Sequence, residues 1–265
     1  MNGIASFDFD QALRVLPEAE WLGIRWVRET TTLRTVRDAK PDTNASHRTE
    51  GAMVEVLVRG QFGYAATTAT THDGLLAAAR SAHRQALAAS EWSVHLFSGH
   101  QRPPSVGTYR SPFVKPFDAL TAAEICERLI RVCETMNVSS KIVRTMATAR
   151  FVETETHYRT SSGGDVRQEF HLVSTDFNAT AQADGVVQKR SDGGMMARSH
   201  QAGLEMLDEK DLWDRALQVG EQALELLTVD DCPYDTTTLV IMPDQMMLQI
   251  HESIGHPLEL DRILG

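Results

Sequence analysis

Met53-Val-Glu-Val-Leu-Val58, then Arg59-Gly60-Gln61, then Phe62-Gly-Tyr-Ala-Ala-Thr67, is the stretch on which the fold class turns. Two runs with strand composition stand on either side of a tight-turn signal, so they read as a hairpin. Upstream, Trp21–Arg28 alternates apolar and polar residues, and Thr31–Arg37 does so again after a short break. These four segments predict an antiparallel meander or two hairpins. Between them, residues 39–51 are polar and read as a mobile loop. Downstream, Thr71 or Asp73 can cap a helix whose Leu75, Leu76, Ala79, Ala82, Ala86 and Leu87 share a broad face.

Farther along, residues 90–117 hold four of the nine prolines and read as a connection laid over the surface. Thr121 opens a second helix with capping-box spacing to Glu124, running to about Met136. Strands are expected over 142–148, 151–160 and 166–183, the last long enough to bend or bulge. Ser161-Ser162-Gly163-Gly164 is the hairpin between the last two, and Asp192-Gly193-Gly194 closes the region. A third helix is expected over 207–227, with Leu212, Ala216, Val219, Ala223 and Leu227 on one stripe. Strands and helices come in blocks, so the class is α+β, with antiparallel or mixed sheets and three long helices. At the end, Thr238–Met242 reads as a short strand closed by Pro243, followed by a helix that Asp244 can cap.

The bulk composition narrows the function. Hydrophobic residues make up 42% of 265 and charged residues 23%, as in ordinary globular proteins, so a sizeable core can form. A net charge of −10 with no basic cluster argues against direct nucleic-acid binding. No apolar run approaches the ~20 residues that span a bilayer. Met1–Asp10 lacks the basic-then-apolar pattern of a signal peptide, so the expected location is cytoplasmic. Cys126, Cys133 and Cys232 form no C-x-x-C and suggest no disulfide framework. Phosphate-loop, dinucleotide and serine-hydrolase signatures are absent.

The last helix carries His251-Glu252-Ser253-Ile254-Gly255-His256. In H-E-x-x-H, two imidazoles one turn apart reach one zinc ion. Here the spacing is i and i+5, which sets the rings about 140° apart on an ideal helix. A single π-turn would restore a shared face, with Gly255 tolerating unusual angles. The helix could instead end, since Pro257 disfavours helix at His256, and let that ring swing back. Two imidazoles would then supply metal ligands, and Glu252 would take a proton from the metal's water. Glu259 and Asp261 follow closely, either as carboxylates that orient a ligand imidazole or as an exposed acidic loop.

Thr238-Leu-Val-Ile-Met-Pro243 followed by His251-Glu-Ser-Ile-Gly-His256-Pro-Leu-Glu-Leu-Asp261 resembles the TldD/PmbA family of metallopeptidases, also called the modulator of DNA gyrase family. Trp21-Leu-Gly-Ile-Arg25, the Val54–Thr67 hairpin, the Ala-rich helix and Ser161-Ser-Gly-Gly-Asp165 are similar to that family's N-terminal domain. The resemblance implies a zinc-dependent peptidase acting on unfolded or extended polypeptides. It makes His251 and His256 zinc ligands and Glu252 the catalytic base, on the TldD-like side of a TldD/TldE pair. It implies a dimer, either of two copies or with a PmbA/TldE-like paralogue. The family's remaining ligand is a Cys far downstream of the motif, whereas all three Cys here precede His251. Residues 1–228 thus read as the N-terminal α+β domain, and 229–265 as the start of a truncated metallopeptidase domain. The alternative is a non-catalytic binding or scaffolding subunit with an incomplete metal site.

Overall fold

The computed structural model describes residues 4–194, 198–208 and 210–264, without the side chains of Asp244, Asp261 and Leu264. A short helix α1 (Phe9–Arg14) leads into β1 (Ala19–Arg37), β2 (Lys40–Val58) and β3 (Gln61–Thr67). Next come α2 (His72–Ser90), β4 (Val106–Arg110), α3 (Ala122–Met136), β5 (Ile142–Thr160) and β6 (Asp165–Ala183). After β7 (Val186–Ser191) and β8 (Arg198–Gln201), α4 (Lys210–Glu225) closes this part. The eight strands form one mixed sheet in the order β3-β2-β1-β5-β6-β4, with β7 and β8 also on β6. Among the described residues, only β4 runs parallel to its neighbour. The α+β class and the three long helices are as expected.

The strands are longer than the sequence suggested. The two segments expected at 21–28 and 31–37 are one strand, because β1 is an interior strand paired on both edges, and Glu29 and Thr30 stay in both ladders. Residues 40–51 form the outer half of β2 and not a loop. Asp38 and Ala39 make the reversal with φ of 51° and 57°, the signs a two-residue type I′ turn requires. Polar alternation hid this strand, since its residues lie on an exposed edge with β1 on one side only. Likewise 142–148 and 151–160 are continuous in β5. The connection over 90–117 contains β4, and the helix expected over 207–227 is α4 (Lys210–Glu225), with a 3₁₀ turn at Leu204–Leu207 ahead of it.

Side chains of one sheet face fill two separate cores. Leu22, Ile24 and Trp26 of β1 join Val54, Val56 and Val58 of β2 beneath α2. At the far end of the same strand, Val36 joins Ala147, Phe151, Val173 and Phe177 beneath α3 and α4. Close packing requires glycine at two helix contacts. A Cβ on Gly63 would stand 1.9 Å from the Ala82 carbonyl oxygen, and one on Gly220 would stand 2.3 Å from that of Met136. Between the cores the face is polar. Arg28 pairs with Glu155, and His157 lies 2.9 Å from Asp165, at a cavity of about 500 Å³. His83 bonds the Pro17 carbonyl oxygen at 2.6 Å, so each of these two histidines has a partner within the protein.

Residues 229–242 have no regular secondary structure, and the strand expected at 238–242 has no ladder among the described residues. A strand exists only by pairing, and Leu239 and Val240 stand 78% and 77% exposed. Helix α5 (Pro243–Ile250) follows. It starts at Pro243, one residue ahead of the expected cap. A proline is pre-shaped for the first helical position.

Candidate metal centre

The motif sits where α5 changes pitch. Residues 251–255 form a π-helical turn, with the His256 N–H donating to the His251 carbonyl oxygen. An i+5 bond adds one residue to the turn and so brings positions five apart to the same side. The His251 and His256 ring centroids are 4.5 Å apart and the planes are nearly perpendicular, at 80°. One ligand atom from each of His251, Glu252 and His256 lies within 4.8 Å of the others. Of the two routes left open by the sequence, the π-turn is the one observed. Gly255 does not use its special freedom, since its φ of −60° is ordinary helical backbone.

Proline 257 does not expel His256 from the helical region, because His256 keeps φ −64° and ψ −42°. It does end the regular ladder, since it has no N–H to donate. The chain tightens into a 3₁₀ turn at His256–Leu258 and then starts α6 (Leu260–Leu264). In this turn Glu259 comes back to His256, with Oε1 2.7 Å from Nδ1. The other ring nitrogen, Nε2, lies 3.9 Å from Glu252 Oε2. The sequence left Glu259 open between two readings, and its i+3 spacing was the available signal. Asp261, named beside it, has its side chain outside the described residues.

Two imidazoles and an adjacent carboxylate are borderline donors of the kind zinc takes. The donor set therefore fits a divalent metal, and it is the one such group of three among the described residues. The three Cys lie elsewhere: Cys133 buried, Cys126 half-buried and Cys232 exposed. Glu252 is open to solvent, with its side chain 62% exposed, and Met246 and Met247 on the preceding turns are exposed as well.

Known proteins place this architecture. Residues 23–86 match the model of the PmbA/TldA metallopeptidase domain 1, and 115–228 match that of the PmbA/TldA metallopeptidase central domain. A metalloprotease of Methanothermobacter thermautotrophicus is 26% identical over 247 residues, covering 92% of this chain and 52% of the relative. Among solved structures, a Thermotoga maritima protein named as a modulator of DNA gyrase superposes with a TM-score of 0.61 at 13% identity, over 84% of this chain and 49% of that one. TldE of Thermococcus kodakarensis gives 0.58 at 14%, over 81% and 46%. The chain thus spans about half the length of the relatives it matches.

Proposed function

The chain belongs to the PmbA/TldD family of metallopeptidases, and from that premise we propose that it is the TldD-like, zinc-dependent component of a peptidase. The observation that carries the reading is the π-turn that gathers His251, Glu252 and His256 within 4.8 Å. His251 and His256 hold the metal, and residues 229–264 are the opening of the metallopeptidase domain. When bound, zinc lowers the pKa of its water to about 7 and polarises the scissile carbonyl. Glu252 would serve as the base toward such a water and as the acid toward the leaving amine. Its carboxylate is open to solvent, with the side chain 62% exposed.

The substrate class is unfolded or extended polypeptide, and the setting is cytoplasmic. The working form is a dimer, of two copies or with a TldE-like paralogue. The solved TldE structure with the same fold supports such a pairing. No helix among the described residues is long and apolar enough to cross a membrane.

The test incubates the zinc-loaded protein, in its dimeric form, with a denatured, alkylated polypeptide and with the same polypeptide folded. The expected result is cleavage of the denatured form alone, abolished by a chelator. Glu252→Gln should cut the rate by about a hundredfold or more, the range for losing a positioned acid–base, and should keep its zinc. Undiminished cleavage by that variant removes Glu252 from its role. Cleavage indifferent to chelation removes the metal reading.

A further inference from the structure

We infer that Glu259 is a positioning residue that fixes the tautomer of His256 and thereby makes Nε2 the metal-binding atom. The inference deepens the metal reading above and rests on it.

A neutral imidazole carries one N–H and one lone pair, on different nitrogens. Only the nitrogen with the lone pair can bind a metal. An ionised carboxylate is an acceptor and nothing else, so a carboxylate on Nδ1 places the proton there. Glu259 Oε1 lies 2.7 Å from His256 Nδ1. The lone pair is then on Nε2, the nitrogen that faces Glu252 at 3.9 Å. Glu252 is too far from Nε2 to hydrogen-bond it, so Glu259 alone sets the proton's place on the ring.

The carboxylate is itself held. Its second oxygen, Oε2, lies 3.3 Å from Arg262 Nε. The Glu259 backbone N–H donates to the His256 carbonyl oxygen at 3.2 Å, and the Glu259 carbonyl oxygen accepts from Arg262 and Ile263 at 3.0 and 3.1 Å. The loop His256-Pro257-Leu258-Glu259 is therefore closed twice, once by backbone and once by side chain. Pro257 within it has a fixed φ, which cuts the freedom the closure must overcome. A ligand whose competent form is only partly populated loses affinity in proportion. Without Glu259 the imidazole would divide between tautomers.

The experiment uses two readouts on the whole 265-residue chain. The first is ¹⁵N NMR of His256 without metal at about pH 8.5, some two units above the ordinary imidazole value. The wild-type ring is expected with the proton on Nδ1. Glu259→Ala should move it to Nε2 or to a mixture. Glu259→Gln should keep it on Nδ1, because the amide oxygen still accepts. The second readout is zinc affinity by competition with a chelator. Glu259→Ala should weaken it about 10- to 100-fold, the range for removing such an outer partner, and Glu259→Gln should restore most of it. A proton on Nε2 in the wild type, or one tautomer shared by all three proteins, overturns the inference. So does zinc affinity that Glu259→Ala leaves unchanged. A wild-type chain that takes up no zinc fails the metal reading itself, and is told apart from these outcomes by the first readout.

Discussion

The sheet region and the segment from 229 onward handle apolar side chains in opposite ways. In the first, Leu22, Leu129 and Phe177 are at most 1% exposed. In the second, Leu239, Val240 and Leu260 stand more than 70% exposed, and every residue with a described side chain except half-buried His256 is exposed. Yet it is the second that holds the ordered chemical motif. The sheet owes its geometry to contacts between residues far apart in sequence. The motif owes its geometry to bonds reaching three to five residues, namely the His256-to-His251 backbone bond and the His256–Glu259 pair. A cluster of metal-ligand type can thus be written into local bonds of three to five residues' reach.

Amide exchange tests this contrast most severely. Residues 229–242 should exchange nearly as fast as a free peptide, while the β5–β6 ladder should be slower by about a thousandfold or more, as a stable fold requires. Protection over 238–242 would show that this strand finds a partner in solution, and would break the comparison. Next in size, Phe177→Ala should cost about 3–5 kcal/mol in urea unfolding, whereas Leu239→Ala should stay within about 0.5 kcal/mol. Two glycines sharpen the point. Gly63→Ala forces a methyl against the Ala82 carbonyl oxygen and should cost about 1–3 kcal/mol or more. Gly255→Ala meets only the Ile250 carbonyl oxygen at 3.8 Å and should leave the urea midpoint unchanged while raising helical content. Thr121→Ala, which removes the hydroxyl that accepts from the Glu124 N–H and leaves the residue-121 N–H on the Glu124 carboxylate, should cost about 1 kcal/mol in the same assay.

The smallest effect is set by pH. Burial opposes ionisation of Glu205 and Asp208. It is outweighed by the Gly203 and Lys115 amides on Glu205, and by the Lys115 and Arg128 side chains on Asp208. Both carboxyls therefore titrate below their ordinary 4.5 and 3.8. A lowered folded value means stability that is present above the unfolded value and lost as pH falls through the folded one. The urea midpoint should decline as pH drops below about 4.5, and Glu205→Gln should flatten that decline. An unchanged slope in the variant would remove Glu205 from the effect.

What could be read in advance follows the same division. The start of helix α3 was legible, because Thr121 and Glu124 form a cap that needs no partner elsewhere. The π-turn was one of two routes that the i, i+5 spacing left open, and the spacing alone did not choose between them. The outer half of β2 was not legible. Its polar residues resemble a loop, and only the ladder to β1 makes them a strand. The 238–242 stretch shows the converse, strand composition without a ladder. Glu259 could be named from spacing, but its choice between ring and solvent depended on the 3₁₀ turn after Pro257.

Strand β1 runs unbroken from one core to the other, with Leu22, Ile24 and Trp26 at one end and Val36 at the far end. A slip of one residue would turn all four to the wrong face. The two cores therefore proofread a single register. An error at either end is rejected at both, and neither half of the sheet is free to settle on an alignment of its own.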